Sequence, residues 1–188
     1  MTINQNLFRF KNTRSKEILK TLGFTNPPFN PFEVAQAMGI KVDTSLDWDK
    51  VRNIKDGLLY EDKDGLVIWI NPLMPKNRQN FTLAHELGHL VYDVLPNIDK
   101  DKTLNSFYYR NNNSGPEETR ANNFAAALLM PIFAIANTLI SIKEKDNNTT
   151  TDEFIDGLAS IFEVSREAMI IRLKKLNVLN ENYVYSYI

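Results

Sequence analysis

The chain has 188 residues, of which 43% are hydrophobic and 24% charged, and its net charge is -1. That is the make-up of a globular protein with one real core; it excludes a general nucleic-acid or membrane-surface binder but leaves room for a local basic patch. Cysteine is absent, which excludes disulfides, thiol catalysis and cysteine-bound metal.

Residues 1–14 read as a flexible leader. They are polar and charged and lack the apolar centre of a secretory signal, so the expected location is the cytoplasm. From Ser15, SKEILKTLGF reads as a short helix stopped by Gly23. A proline connector (Pro27, Pro28, Pro31) leads into a second helix, PFEVAQAMG, ending at Gly39. IKVD is a short strand. DGLLYEDKDGLVIWIN is a hairpin with its turn expected at Asp64-Gly65. After a loop with two prolines, Arg78 to Val94 has helical spacing, with Phe81, Ala84, Leu87, Gly88 and Val91 on one side and Pro96 as its end.

Residues 96–115 form a polar and aromatic loop whose Asn, Ser and Gly content favours mobility. PEETRANNFAAALL is an apolar helix with Pro116 in its first turn, and MPIFAIANTLISIKEK is another, separated from it near Pro131. The apolar run Phe124 to Ala136 is too short for a bilayer span, and no membrane partner is expected. DNNTTTDE is a linker whose last residues can cap the next helix. Residues 152–179 read as two helices around Glu163-Val164-Ser165, and NYVYSYI as a closing strand.

The chain's two histidines fall within one short stretch, FTLAHELGHLVYD. Residues four apart share a helix face, so His85 and His89 aim two imidazoles at one point. Glu86 lies beside them at another angle, able to reach a water held by a metal without ligating it. This is the H-E-x-x-H arrangement of zinc hydrolysis: zinc lowers the pKa of its water to about 7, and the carboxylate takes the proton as a carbonyl is attacked. The alternative is an amphipathic helix carrying two ordinary histidines. Two features oppose it. Both histidines sit in the one pattern, and Leu83, Ala84, Leu87, Leu90 and Val91 make the helix too apolar for a solvated pair.

A catalytic zinc takes three protein ligands and keeps one open position. With no histidine or cysteine left, the third ligand is Asp or Glu. Glu118, at the start of an apolar core helix, is the best candidate. Asn122 or Asp93 then hydrogen-bonds a ligand histidine, and Glu117 faces solvent. An acid at a helix start is favoured by the helix dipole in any case. Histidine and carboxylate ligands suit one zinc ion but also accept manganese, iron, cobalt or nickel.

Together these residues resemble the ImmA/IrrE family of metallopeptidases. The resemblance rests on NFTLAHELGH (residues 80–89) and ETRANNFAAALLMP (residues 118–131), with similar segments upstream (NPFEVAQAMGIKV) and downstream (LASIFEVSREAMIIRLKKLNVL), and spans roughly residues 15–180. It implies an α+β fold, mostly helical and zincin-like, with a small sheet or hairpin. The site it implies is gluzincin-type: His85, His89 and Glu118 on the metal and Glu86 as catalytic base. Family members are often encoded in mobile elements, prophages or stress operons beside a helix-turn-helix repressor, and several cleave it. The implied partner is such a repressor, cut at one or a few sites to derepress its genes.

The expected layout is a peptidase domain over 15–145 and a helical C-terminal segment over 151–188 packed on it. Lys143, Lys145, Arg166, Arg172, Lys174 and Lys175 give that end a basic character. A packed pair of helices is preferred to a DNA-binding helix-turn-helix, because the chain has no net positive charge. An oxyanion-stabilising donor is required by the chemistry, with Tyr60, Tyr92, Tyr108, Tyr109 and Arg172 as candidates and Arg172 or a tyrosine of the 107–110 loop preferred. Two other functions compete: a metal-dependent regulator that binds a repressor or DNA without cutting, and a structural zinc module, which normally has four protein ligands.

Overall fold

The structure is a computed structural model describing residues 5–54, 56–63, 65–97, 115–145 and 150–183. The described part of the leader is not loose. Gln5–Phe10 forms a 3-10 helix that buries Leu7 and Phe10 to 2% and 1% exposure. Two large apolar side chains three apart lie on one side of such a turn, and their transfer into the core holds it in place.

Helix α1 (Ser15–Leu22) ends at Gly23, whose φ of +83° returns its N–H to the carbonyls of Leu19 and Lys20. Helix α2 (Pro31–Met38) starts where the Asn30 side chain accepts the Phe32 N–H, with Pro31 in the first turn, and Gly39 closes it in the same left-handed manner. Strand β1 (Lys41–Asp43) and short helix α3 (Trp48–Asn53) follow. Strands β2 (Gly57–Asp62) and β3 (Gly65–Ile70) form the hairpin. Asp62 pairs with Gly65, so Gly65, at φ +128°, opens β3 rather than standing in the turn as expected.

The sheet order is β1-β3-β2, with β1 parallel and β2 antiparallel to β3. Central β3 is buried from Leu66 to Ile70, as its unbroken apolar sequence requires. Trp69 is wholly buried, and its Nε1–H donates to the Ser45 carbonyl at 2.9 Å.

Helix α4 (Lys76–His89) begins two residues before the expected Arg78. It does not run on as an α-helix. Leu90–Val94 is a π-helical turn, and Leu95–Asn97 (α5) continues through Pro96 rather than stopping before it. Helices α6 (Pro116–Leu129) and α7 (Ile132–Lys145) are separated at Met130-Pro131. Pro116–Ile142 is long and apolar enough by composition to cross a membrane, but in the fold it is these two helices, and α6 buries Ala121, Phe124, Ala125, Leu128 and Leu129.

Helix α8 (Thr151–Ile161) starts with a capping box, in which Thr150 and Glu153 each satisfy the other's backbone N–H. Helix α9 (Arg166–Lys175) is capped by Ser165. Arg166 ties the pair together through Asp152 (2.8 Å) and Asp156 (2.7 Å). Ile155, Leu158, Phe162, Met169 and Leu173 belong to the same core as α1, α4 and α6, and Phe162 lies against Phe29 with ring centroids 6.3 Å apart. The fold is thus α+β, mostly helical, with one small mixed sheet. Most of the expected closing strand NYVYSYI, and the loop carrying Tyr108 and Tyr109, lie outside the described residues.

Candidate metal centre

Helix α4 carries His85 and His89 one turn apart, and their Nε2 atoms are 3.0 Å from each other. Glu118, in the first turn of α6, faces both, with Oε2 3.2 Å from His85 Nε2 and Oε1 3.2 Å from His89 Nε2. The far nitrogens are held as well. His85 Nδ1 lies 2.9 Å from Asn122 Oδ1, and His89 Nδ1 lies 2.7 Å from Asp93 Oδ2. Both oxygens accept, so each Nδ1 carries a proton, and in the neutral form of each ring Nε2 is left with a bare lone pair. Two lone pairs and a carboxylate converge on one point, and His85, His89 and Glu118 form a group able to hold a metal ion. Without a cation such a set is repulsive; with one, two imidazoles and a carboxylate fit the ligand chemistry of zinc. Glu117 is not part of the group.

The close approach of α4 and α6 has a local cause. A Cβ added at Gly88 would stand 3.0 Å from the Ala121 Cα, 3.2 Å from its carbonyl oxygen and 3.2 Å from the Phe124 Cβ. Only glycine lets the second helix come near enough for Glu118, one turn before Ala121, to reach the histidines. The π-turn after His89 carries Asp93, and Arg120 of α6 donates to its other carboxylate oxygen. Burial holds the His85 pKa below its usual value, and the neighbouring His89 adds to this, while Glu118 and Asn122 oppose it. His85 is therefore kept neutral, as a ligand must be.

Glu86 opens on a cleft of about 440 Å³ whose walls include Asn53 at the end of α3 and Ile54 after it, Gly57 of β2, Arg78, Phe81 and His85 of α4, and Asn122 of α6. Burial pushes the Glu86 pKa up to about 7; His89 pulls against this and Glu118 reinforces it. A carboxyl near neutrality beside a metal-ligand set is suited to taking and giving a proton.

The family model of the IrrE N-terminal-like domain, peptidase family M78, matches residues 37–174. The chain belongs to this family. The His85, His89 and Glu118 group lies within the matched region. No curated protein matches the sequence. A solved structure described as a Mycobacterium tuberculosis transcriptional regulator is similar at a TM-score of 0.52 and 16% identity, over 90% of this chain and 52% of that one. This chain spans about half the length of that structure, and the likeness is one of fold.

Not every expected residue reaches the M78 site. Arg172 donates its Nε–H to the Met130 carbonyl at 2.9 Å and, with Tyr92, lines a separate groove beside α6 rather than the Glu86 cleft. The Tyr60 hydroxyl points to Asp43. Arg172 thus lies against the end of α6, and among the described residues it is not part of the cleft lining. Tyr108 and Tyr109 lie outside the described residues. Three participants escaped the sequence reading. Arg78, paired with Asp56 at 2.6 Å, lines the cleft; it precedes His85 by seven residues, a same-face spacing that was there to be read. Gly57 lies so close to α4 that a Cβ would meet Thr82 Cγ2 at 2.6 Å. Arg120 meets Asp93 only in the folded chain, with no local signal.

Proposed function

We infer that this M78 protein is a zinc-dependent endopeptidase, and that its substrate is a helix-turn-helix transcriptional regulator. The observation that carries the reading is the convergence of His85, His89 and Glu118 beside a half-buried Glu86 whose pKa is raised to about 7. A bound zinc supplies Lewis acidity and an acidified water. Asp93 and Asn122 keep the Nδ1 protons in place, so both Nε2 atoms stay available as ligands. The Glu86 carboxylate accepts the proton of the attacking water and returns it to the amine leaving group, a shuttle for which a pKa near neutrality is suited.

A peptidase acts on a protein, and the family resemblance favours a repressor encoded nearby, in a mobile element, prophage or stress operon. The similar solved structure is itself described as a transcriptional regulator. The C-terminal basic side chains support a protein partner over DNA. Arg166 pairs with Asp152 and Asp156, Lys174 donates to the carbonyls of Glu181 and Tyr183, and Lys175 donates to Asn123. Charges spent within the fold are poorly placed to track a phosphate backbone. The cytoplasm, where such a repressor works, is the proposed location.

The test is to incubate the adjacent helix-turn-helix protein with the zinc-loaded wild type and with Glu86→Gln, reading fragments by intact mass. Cleavage by the wild type alone supports the proposal. Cleavage by both removes Glu86 from the chemistry. An intact partner bound by both proteins favours a regulator that binds without cutting.

A further inference from the structure

On the other flank of α6 from the Glu86 cleft lies a groove of about 420 Å³. Its apolar wall includes Phe124, Ile132 and Phe133, with Ile132 56% and Phe133 36% exposed. Among the described residues four cations line it, Arg14, Lys16, Arg120 and Arg172, and no acidic side chain does. For a chain of net charge -1, that is a local concentration of one sign. Arg14 and Lys16 make no ion pair among the described residues. Arg172 is half-buried and spends Nε–H on the Met130 carbonyl, while its terminal Nη groups have no protein acceptor among the described residues. A guanidinium partly withdrawn from water with donors unspent is a strong attachment point for an anion.

We propose that this groove is a binding site for a small amphipathic anion, its acid group taken by the arginines and its apolar body lying over Ile132 and Phe133. The volume falls in the range of small-molecule sites rather than of a protein interface. Arg120 gives the site a consequence. The same guanidinium bonds Asp93, whose other oxygen holds the His89 Nδ1–H. An anion in the groove competes with Asp93 for Arg120, so occupancy and metal affinity are coupled, and the coupling is reciprocal. That second statement rests on the metal site proposed above; the binding itself does not.

Decane-1-sulfonate, a strong-acid anion and a poor zinc ligand, is the probe, titrated calorimetrically into the full-length zinc-loaded chain below its micelle concentration. Decan-1-ol and decyltrimethylammonium test the need for negative charge. Ile132→Asp, at an exposed position where folding is not at stake, tests the place. Saturable binding of the sulfonate, weaker by roughly tenfold or more for both control probes and for Ile132→Asp, supports the site. Equal binding of the three probes, or binding indifferent to Ile132→Asp, overturns it. Zinc affinity measured by competition with a fluorescent chelator is expected to fall several-fold with saturating sulfonate in the wild type and not in Ile132→Asp; an unchanged affinity overturns the coupling. Neither readout uses cleavage, so failure here and failure of the peptidase reading are separable.

Discussion

Among the described residues, Glu86 is the acid whose pKa lies far from its ordinary value. Its pKa rises from the ordinary 4.5 to about 7 because burial disfavours the anion. In the metal-free protein the folded chain therefore keeps a proton, between those two values, that the unfolded chain has released. The resulting stability is full below pH 4.5 and is lost as pH rises through 7, by an amount on the order of 3 kcal/mol. Glu86→Gln removes the titration. Urea denaturation of the chelator-treated proteins should show the variant gaining on the wild type between pH 5 and pH 8; parallel pH profiles would refute the assignment. At the other end of the site, Asp93 holds the His89 Nδ1 proton and is itself held by Arg120. Asp93→Asn is expected to weaken zinc binding by about 10- to 100-fold while leaving the fold intact, measured by chelator competition and circular dichroism.

The two glycines inside helices α4 and α8 look alike in sequence and behave oppositely in the fold. At Gly88 the atoms that a methyl would meet are mostly the backbone of α6, which cannot step aside. The gain of about 1 kcal/mol from alanine's helix propensity is outweighed by overpacking of about 1–3 kcal/mol. Gly88→Ala should lower stability and, by moving α6, carry Glu118 away from the histidines and weaken zinc binding. Gly157 of α8 has nothing within 4 Å of an added Cβ. Gly157→Ala should stabilise the protein by about 0.5–1 kcal/mol with zinc affinity unchanged. Thermal melts of both variants decide this; stabilisation by both would mean that the α4–α6 contact is looser than described.

Across the whole molecule the metal site joins two helices that belong to one core, so metal binding and folding are linked. At free zinc about 1,000 times its Kd, the folded state gains about 4 kcal/mol, roughly 8–16 °C in Tm for a chain of this size. Chelation should lower Tm by that order in the wild type, and a His85→Ala, His89→Ala double variant should not respond. The C-terminal helices share the same core through Phe162 and Met169. Phe162→Ala is expected to lose about 3–5 kcal/mol and to lower the single melting transition as a whole. A separate low-temperature transition confined to α8 and α9 would contradict the shared core.

Much of this protein is set by interactions that act within a few residues, and those were legible in the sequence. Gly23 and Gly39 end their helices, the threonine-rich end of the DNNTTTDE linker begins α8, and an apolar run makes the central strand. The pairing of His85 with His89 is a matter of helical pitch, and the singling out of Glu118 followed from the scarcity of other ligands; the structure brings the three together. What only the tertiary structure decided depends on which elements meet. The leader packs because Leu7 and Phe10 find a core built by distant helices. The π-turn carries Asp93, which is bonded both to His89 and to Arg120, 27 residues farther along the chain. Arg172 lines the groove beside α6 instead of the Glu86 cleft because α9 packs at the end of α6. Caps, turns and helix faces are short-range and written in the order of residues. The neighbours of a side chain across two packed helices depend on burial summed over the whole chain, and no local stretch carries that sum.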